Sequence, residues 1–141
     1  MSVSSSSDVL KKLFDPILDS DEMEEILDAF AAIGVRDQVP ALDVGLILSD
    51  YSVKAAAAYF RVLPEVLQSI SSDELGGWVG MGIKISQKSA ASGIRFFKEA
   101  PSVFSQIPSA LLRVRFIEQG LSLADEDINL AVEYYRNAPA L

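Results

Sequence analysis

Apolar residues recur along this chain at helical spacing, and one pattern of them returns every 37 or 38 residues. Each copy holds an aromatic pair: Tyr59-Phe60, Phe96-Phe97 and Tyr134-Tyr135. A glycine stands 14 residues before each pair: Gly45, Gly82 and Gly120. A proline stands five residues after the first aromatic residue: Pro64, Pro101 and Pro139. Markers that keep their register through three copies predict a repeat protein.

Each copy is predicted to be a hairpin of two α-helices, with hairpins at roughly 38–70, 73–107 and 110–138. The second helix carries the aromatic pair, and a residue suited to cap a helix N-terminus precedes it: Ser52, Ser89 or Asp127. Small residues lie one turn before the aromatic pairs and leave room for a facing helix: Ala56, Gly93 and Ala131. The repeated glycines are expected at helix–helix contacts, facing the second helix of their own hairpin or of the one before. Strand patterns are nearly absent, so the fold class is all-α.

The repeated proline limits where the second helix ends. Proline lacks an N–H donor, and its ring clashes with the preceding helical turn. The second helix therefore either kinks at Pro64 and Pro101 or ends there. In the second case, a short third helix starts with proline at its first position, where proline is tolerated.

The N-terminal residues are less regular than the repeats. Residues 1–8 are rich in serine and are expected to be disordered. Residues 9–36 are predicted to form an N-terminal helical cap, with a short helix near Lys11–Leu18 that is interrupted at Pro16. Residues 37–141 contain the three hairpins. The predicted architecture is one domain, an α-solenoid of about three hairpin repeats with a helical cap.

A second helix is predicted within the cap. Asp21 and Glu24 have the spacing of a capping box, in which each residue bonds to the backbone of the other. The helix is expected to run to about Ile33, with Gly34 as its stop. Its buried face is expected to hold four apolar residues: Met23, Ile26, Leu27 and Phe30.

Composition removes several classes of function. The chain of 141 residues has no cysteine and no histidine, so it lacks disulfides, thiolate nucleophiles and the usual base near neutral pH. An enzyme is therefore not expected, and no catalytic residue, metal ligand or cofactor is assigned. A net charge of −8 disfavours nucleic acid and anionic membranes as partners. No apolar run approaches about 18 residues and no signal-peptide pattern opens the chain, which indicates a cytoplasmic protein.

Two local patterns resemble ligand sites, but packing and solvation explain them better. The glycines between Gly76 and Gly82 lack the spacing of a phosphate loop, and no strand precedes them. Close helix packing accounts for them. The acidic residues between Asp15 and Asp28 fail the calcium-loop pattern, because Met23 occupies a ligand position. Solvated carboxylates at a helix N-terminus, where the dipole favours negative charge, account for them.

The period of the repeat is longer than the about 34 residues of tetratricopeptide arrays and closer to that of HEAT and armadillo arrays. Its pattern also resembles the helical region upstream of the von Willebrand A domain in bacterial proteins that partner MoxR-type AAA+ ATPases. The resemblance covers roughly residues 37–141 and is carried by Trp78-Val-Gly-Met-Gly82 with Phe96-Phe97, and by Phe116-Ile-Glu-Gln-Gly120 with Tyr134-Tyr135. The metal motif of the von Willebrand domain is missing. The resemblance therefore implies a helical protein-binding module and no metal ligands.

The candidate binding residues are the basic positions between aromatic pair and proline: Arg61, Lys98 and Arg136. Stacked repeats place equivalent residues about 10 Å apart, so these side chains are expected to line one face. On an acidic protein, such a line attracts an acidic segment of another protein. The competing interpretation is that the cations form salt bridges within the fold, to Glu65, Glu99 or Glu133.

The aromatic pairs are expected mainly in the core, with Tyr59 and Tyr134 as candidates for the edge of a groove because they carry hydroxyls. The predicted function is a non-catalytic module or scaffold that binds another protein. The alternative is a carrier that encloses a small apolar ligand between helices. The third repeat stops soon after its proline, so its uncovered face is expected to meet another subunit, as in a homo-oligomer, or a longer chain.

Overall fold

The structure, a computed structural model, describes residues 3–105, 107, 109–126, 130, 133 and 134. In these residues the chain forms α-helices and contains no β-strand, which confirms the predicted all-α class. The helices are α1 (Val3–Phe14), α2 (Ser20–Ala31), α3 (Val35–Ser49), α4 (Val53–Val66), α5 (Leu75–Lys88), α6 (Ala90–Ser105) and α7 (Ala110–Glu126), with a 3₁₀ turn at Ser72–Glu74 before α5. Most of the second helix predicted for the third hairpin lies outside the described residues.

The helices contact one another in two series. In one series α2 packs on α4 and α4 packs on α6, and in the other α3 packs on α5 and α5 packs on α7. Contacts of α3 with α4 and of α5 with α6 join the series, while α1 contacts α2 and α4. Each helix turns an apolar face towards its neighbours, and these faces form one connected core.

Hairpins α3–α4 and α5–α6 begin their second helix in the same way. Ser52 Oγ accepts a hydrogen bond from the backbone N–H of Ala55 at 3.1 Å, and Ser89 Oγ accepts one from Ser92 at 3.2 Å. Each hydroxyl satisfies an N–H that has no partner inside its helix. The prediction that Ser52 and Ser89 cap these helices is confirmed, and Asp127 lies outside the described residues.

The repeated glycines allow a bulky side chain to approach the first helix. A Cβ atom at Gly45 would overlap the ring of Phe60 on α4, and one at Gly82 would overlap the ring of Phe97 on α6. The expected contact with the second helix of the same hairpin is therefore confirmed twice. A Cβ atom at Gly120 would instead meet the sulfur of Met81. Met81 lies on α5, while Tyr135, the counterpart of Phe60 and Phe97 in the third repeat, lies outside the described residues. The expected contact of Gly120 with the second helix of its own hairpin therefore stays a prediction.

Helices α4 and α6 continue through their prolines. Helix α4 extends two residues beyond Pro64 to Val66, and α6 extends four residues beyond Pro101 to Ser105. The alternative in which the second helix ends at proline is therefore wrong. Val66 and Phe104, which follow the two prolines, are buried. Their packing favours the helical backbone despite the missing N–H of proline.

Helix α1 begins earlier than the sequence pattern predicts. It starts at Val3, within the segment 1–8 that is expected to be disordered. Leu10 and Phe14 are wholly buried and anchor the helix on the core. The preceding serines then extend it at a small cost in helix propensity. The helix ends at Phe14, because Pro16 disfavours a helical backbone at Asp15, the residue before it.

A capping box does open α2, but it starts two residues earlier than expected. Asp19 Oδ1 accepts from the backbone N–H of Glu22 at 2.8 Å, and Glu22 Oε1 accepts from that of Asp19 at 3.4 Å. The predicted box of Asp21–Glu24 is therefore wrong. The earlier start places Leu18 before the cap and Met23 at the fourth helical position, which is the spacing of a hydrophobic staple.

The end of α2 also differs from the prediction. The helix ends at Ala31, and Gly34 precedes α3 with φ −58° and ψ 144° instead of stopping α2. The carbonyl oxygen of Ile33 accepts a hydrogen bond from Nε2 of buried Gln38 at 3.0 Å. Gln38 thus satisfies a backbone group that a glycine cap would otherwise serve. The predicted buried face of α2 is confirmed for three residues: Met23, Ile26 and Phe30.

Aromatic rings form a connected series through the core. Tyr59 lies 5.0 Å from Phe60 and 5.5 Å from Trp78, measured between ring centroids. Trp78 in turn lies 5.2 Å from Phe97 and 5.7 Å from Phe104. These side chains are all wholly or almost wholly buried, so the interpretation of the first two aromatic pairs as core is confirmed. Most of the rings meet edge to face, as the charge distribution of aromatic rings favours.

Candidate binding groove

A groove of about 370 Å³ lies between α4, α6, the turn that joins α1 to α2, and the first turn of α2. Apolar and charged side chains line it together. Its lining comes from three parts of the chain: Ile17, Leu18 and Glu22; Lys54, Ala57, Ala58 and Arg61; and Ile94 and Lys98. The groove therefore depends on the packing of helices that are distant in sequence.

Helical spacing explains which side chains meet in this groove. Lys54, Ala58 and Arg61 follow one another by four and three residues, so they share a face of α4. Ile94 and Lys98 share a face of α6 for the same reason. The short alanine side chain leaves the space between the longer ones open. Two of the three basic positions predicted to share a face, Arg61 and Lys98, thus lie in one groove.

Arg61 is held by two glutamates of α2. Its Nη2 donates to Glu22 Oε2 at 3.1 Å, and its Nε lies 3.5 Å from Glu25 Oε2. Nε is buried but makes no aligned hydrogen bond to a described atom. These partners differ from Glu65, the residue considered from the sequence, because the packing of α2 on α4 brings the two glutamates to Arg61. Arg61 therefore links two helices as well as lining the groove.

Lys54 and Lys98 supply the uncommitted positive charge of the groove. Both are exposed, and neither forms an ion pair within the part of the chain that the structure describes. Glu99, the carboxylate considered for Lys98, lies 3.1 Å from Nε of Arg95 one helical turn away. The two ammonium groups beside an apolar lining suit carboxylates that flank an apolar side chain.

Tyr59 belongs to the core and not to the edge of the groove. It is wholly buried, and its hydroxyl donates to the carbonyl oxygen of Ala41 at 2.9 Å. Burial raises the pKa of this hydroxyl above its ordinary value. A partner that binds at the surface therefore does not reach Tyr59 in this structure.

Tyr134 and Arg136 belong to the third repeat. Tyr134 is partly buried and stacks on Phe116, with ring centroids 5.1 Å apart. Burial raises the pKa of the Tyr134 hydroxyl. Arg136 lies outside the described residues, as do Tyr135 and Pro139. The structure therefore relates two of the five candidate residues, Arg61 and Lys98, to the groove.

A second groove, of about 550 Å³, lies between α1 and α2. It combines apolar side chains with one lysine and several carboxylates: Leu18, Met23 and Leu27; Lys11; and Asp15, Asp19, Glu24 and Asp28. Among the described residues, no three potential ligands of a metal ion come together. The open groove leaves these carboxylates to be solvated by water, which accounts for them without a bound cation.

Sequence reasoning missed a buried ion pair between Arg113 and Glu74. Arg113 Nε and Nη2 donate to Glu74 at 3.1 and 3.3 Å, and Nη1 donates to the carbonyl oxygen of Ile107 at 3.0 Å. The sequence did contain a signal for this pair. Ser71 and Glu74 have capping-box spacing, and Arg113 follows Glu74 by 39 residues. Glu22 and Arg61 have the same separation. The pair joins the start of α5 to α7 and has a structural role.

No helix in the described ranges is both long enough and apolar enough to cross a membrane. No protein-family model matches the chain, and neither a curated protein nor a solved structure matches it. The candidate function therefore rests on the groove and on the surfaces around it.

Proposed function

We propose that this chain is a non-catalytic helical-repeat module that binds a segment of another protein in the groove between α4 and α6. The observation that carries the proposal is that Lys54 and Lys98, which have no ion-pair partner among the described residues, line one groove beside apolar side chains. Because the chain as a whole carries a net charge of −8, this groove is a local reversal of charge. Such a reversal orients an acidic partner and speeds its encounter.

The proposed architecture is an α-solenoid of hairpin repeats. Hairpins α3–α4 and α5–α6 share the serine cap and the contact between glycine and phenylalanine, at positions 37 residues apart. Helix α7 is then the first helix of a third hairpin, and α1 and α2 form the cap. Solenoids present extended surfaces to protein segments. The resemblance to the helical regions of MoxR-partner proteins points to the same class of function.

The chemistry of the groove favours an acidic peptide segment that also carries an apolar side chain. Carboxylates of the segment pair with Lys54 and Lys98, and the apolar side chain packs on Ala58 and Ile94. The alternative, a small apolar ligand, fits this site less well. Such a ligand would remove water from charged side chains without offering them a hydrogen-bond partner, which is unfavourable.

Selection of peptides from a random display library on the purified chain tests the proposal. The enriched peptides should combine carboxylates with an apolar residue, and fluorescence anisotropy gives their Kd. In the Lys54→Glu/Lys98→Glu variant, the Kd should rise at least about tenfold, equivalent to about 1.4 kcal/mol of binding free energy. Binding to the parent should weaken as salt screens the charges.

A matched control separates the groove from the total charge of the protein. The Lys12→Glu/Lys88→Glu variant makes the same change in net charge at two exposed lysines outside the groove. Its Kd should stay within about twofold of the parent value, because neither lysine lines the groove and salt screens exposed charges. Binding in the groove would be contradicted if the Kd rose equally in the two variants, or if neither variant changed the Kd of the selected peptides.

A further inference from the structure

Helix α3 keeps an apolar face exposed. The exposed fractions of Val35, Val39 and Ile47 are 73%, 60% and 55%, and that of Tyr51, just beyond the helix, is 52%. With the exposed Asp43, these residues follow one another every four positions, so they form one row along the helix. The opposite face is buried in the core: Gln38, Ala41, Leu42, Gly45 and Leu48. A helix that is apolar on two faces indicates a partner for the outer one.

Two charges at the ends of this outer face are not explained by the fold. Arg36 lies in the first turn of α3, and Asp50 is the residue that caps its C-terminus. The N-terminal end of a helix is partially positive and the C-terminal end partially negative, so each charge lies at the end that disfavours it. Neither side chain has an ion-pair partner among residues 3–105, 107, 109–126, 130, 133 and 134.

The outer face of α3 is complementary to itself about Asp43. Arg36 and Asp50 lie seven residues on either side of this position, Val39 and Ile47 lie four, and Val35 and Tyr51 lie eight. When two copies of a helix pack antiparallel with residue 43 at the centre, each residue meets the one equally distant on the other side. Opposite charges then meet each other, and apolar side chains meet apolar side chains.

We propose that this face of α3 binds a second copy of the chain, with the two α3 helices antiparallel about a two-fold axis near Asp43. Val39 packs against Ile47 of the second copy, and Arg36 pairs with Asp50 of the second copy. The antiparallel arrangement also brings each of these charges to the favourable end of the other helix dipole. Such a contact is isologous and closes on itself, as in most homodimers.

Asp43 limits the strength of this dimer. The two copies of Asp43 meet near the axis, where like charges oppose association. One helix face is also a small interface, so the dimer is expected to be weak and reversible. The inference does not depend on the proposed peptide groove, because no residue of α3 lines that groove.

Sedimentation equilibrium of the full chain over a wide concentration range tests the proposal by charge reversal. The parent should show a monomer–dimer equilibrium. Arg36→Asp and Asp50→Arg should each raise the dimer Kd at least about fivefold, while the double variant should return within about twofold of the parent. Asp43→Leu should lower the Kd at least about tenfold, because it removes the central repulsion and adds apolar contact. Circular dichroism checks that every variant keeps its helix content.

Crosslinking tests the register, and the chain has no native cysteine to interfere. Chains carrying Val39→Cys are mixed with an equal amount of isotopically labelled chains carrying Ile47→Cys, and the mixture is then oxidised. The mixed disulfide should exceed both homodimers, because only positions 39 and 47 come close enough across the axis.

Two results would overturn the proposal. In the first, both the parent and the Asp43→Leu variant stay monomeric at about 1 mM, a concentration at which even weak association is populated. In the second, a dimer forms, but neither single charge reversal changes its Kd, which places the interface elsewhere on the molecule.

Discussion

The Glu22–Arg61 and Glu74–Arg113 pairs are built alike but lie in different surroundings. In both, the glutamate accepts a hydrogen bond from the backbone N–H three residues earlier and the arginine follows it by 39 residues. The first pair joins α2 to α4, with its arginine and glutamate side chains 27% and 43% exposed. The second joins the start of α5 to α7, with side chains only 9% and 12% exposed.

Burial decides what each pair contributes to the stability of the fold. Water and salt screen the first pair, and exposed pairs of this kind contribute about 0–1 kcal/mol. In the second pair, most of the water has been removed from both charges, so each one depends on the other for its stabilisation. The same spacing in the sequence therefore produces a surface contact in one series of helices and a structural link in the other.

The largest expected effect comes from removing one partner of the buried pair. Arg113→Ala should lower the free energy of unfolding by about 3–5 kcal/mol, because Glu74 is left as an unpaired buried charge. Urea unfolding followed by circular dichroism measures this change. A loss below about 1 kcal/mol would mean that water reaches Glu74 and that the two pairs are alike.

A double replacement shows how much of that loss belongs to the unpaired charge. Glu74→Met/Arg113→Met removes both charges and keeps similar side-chain volume, so it should be less destabilising than Arg113→Ala. Recovery should be incomplete, because the carbonyl oxygen of Ile107 loses the Arg113 donor at 3.0 Å. An unsatisfied buried acceptor costs about 1–3 kcal/mol.

A substitution at a close helix contact should have an effect on stability between those expected for the two ion pairs. Gly82→Leu should destabilise the chain by about 1–3 kcal/mol, because the new side chain overlaps the ring of Phe97. Gly76→Leu is the matched control on the same helix, since a Cβ atom at Gly76 meets no described atom within 4 Å. Thermal unfolding should show a lower Tm for the first variant and little change for the second. Equal Tm values would mean that Gly82 is not required for this contact.

The exposed pair should show a small coupling. A double-mutant cycle of Glu22→Ala and Arg61→Ala should give a coupling free energy of about 0.2–1 kcal/mol. Glu25, whose Oε2 lies 3.5 Å from Arg61 Nε, partly replaces Glu22 when it is removed. A coupling as large as the effect of Arg113→Ala would show that exposure does not separate the pairs.

Added salt should change stability the least of these tests, but it should affect the exposed pair and the buried pair differently. In about 1 M salt the Debye length falls to about 3 Å, so the coupling of the exposed pair should approach zero. The loss caused by Arg113→Ala should persist, because buried charges are screened much less. Repeating both unfolding series in sodium chloride measures the difference. Parallel losses in the two series would contradict the assignment of Glu74–Arg113 as a buried pair.

Local features of the fold were predictable from the sequence, and long-range partners were not. The serine caps and the contact between glycine and phenylalanine follow from residues within one hairpin. The start of α2 was mispredicted because two overlapping acidic spacings compete there, and the hydrophobic-staple spacing of Leu18 and Met23 favours the earlier one. The basic positions Arg61, Lys98 and Arg136 were recognised from the sequence, but the partners of Arg61 lie on α2, outside its own hairpin.

The sequence by itself determined the class of fold, because helix propensity, caps and the spacing of apolar residues act over short distances. It also determined which chemistry is missing, since there is no cysteine or histidine. Only the tertiary structure decided that Arg113 is buried while Arg61 is not, and that Lys54 and Lys98 share a groove. These outcomes depend on how α2, α4 and α6 pack and on how α7 packs against the start of α5, and each of the two ion pairs joins residues 39 positions apart. The physical reason is that burial and charge pairing are properties of surfaces that exist only after distant helices have met.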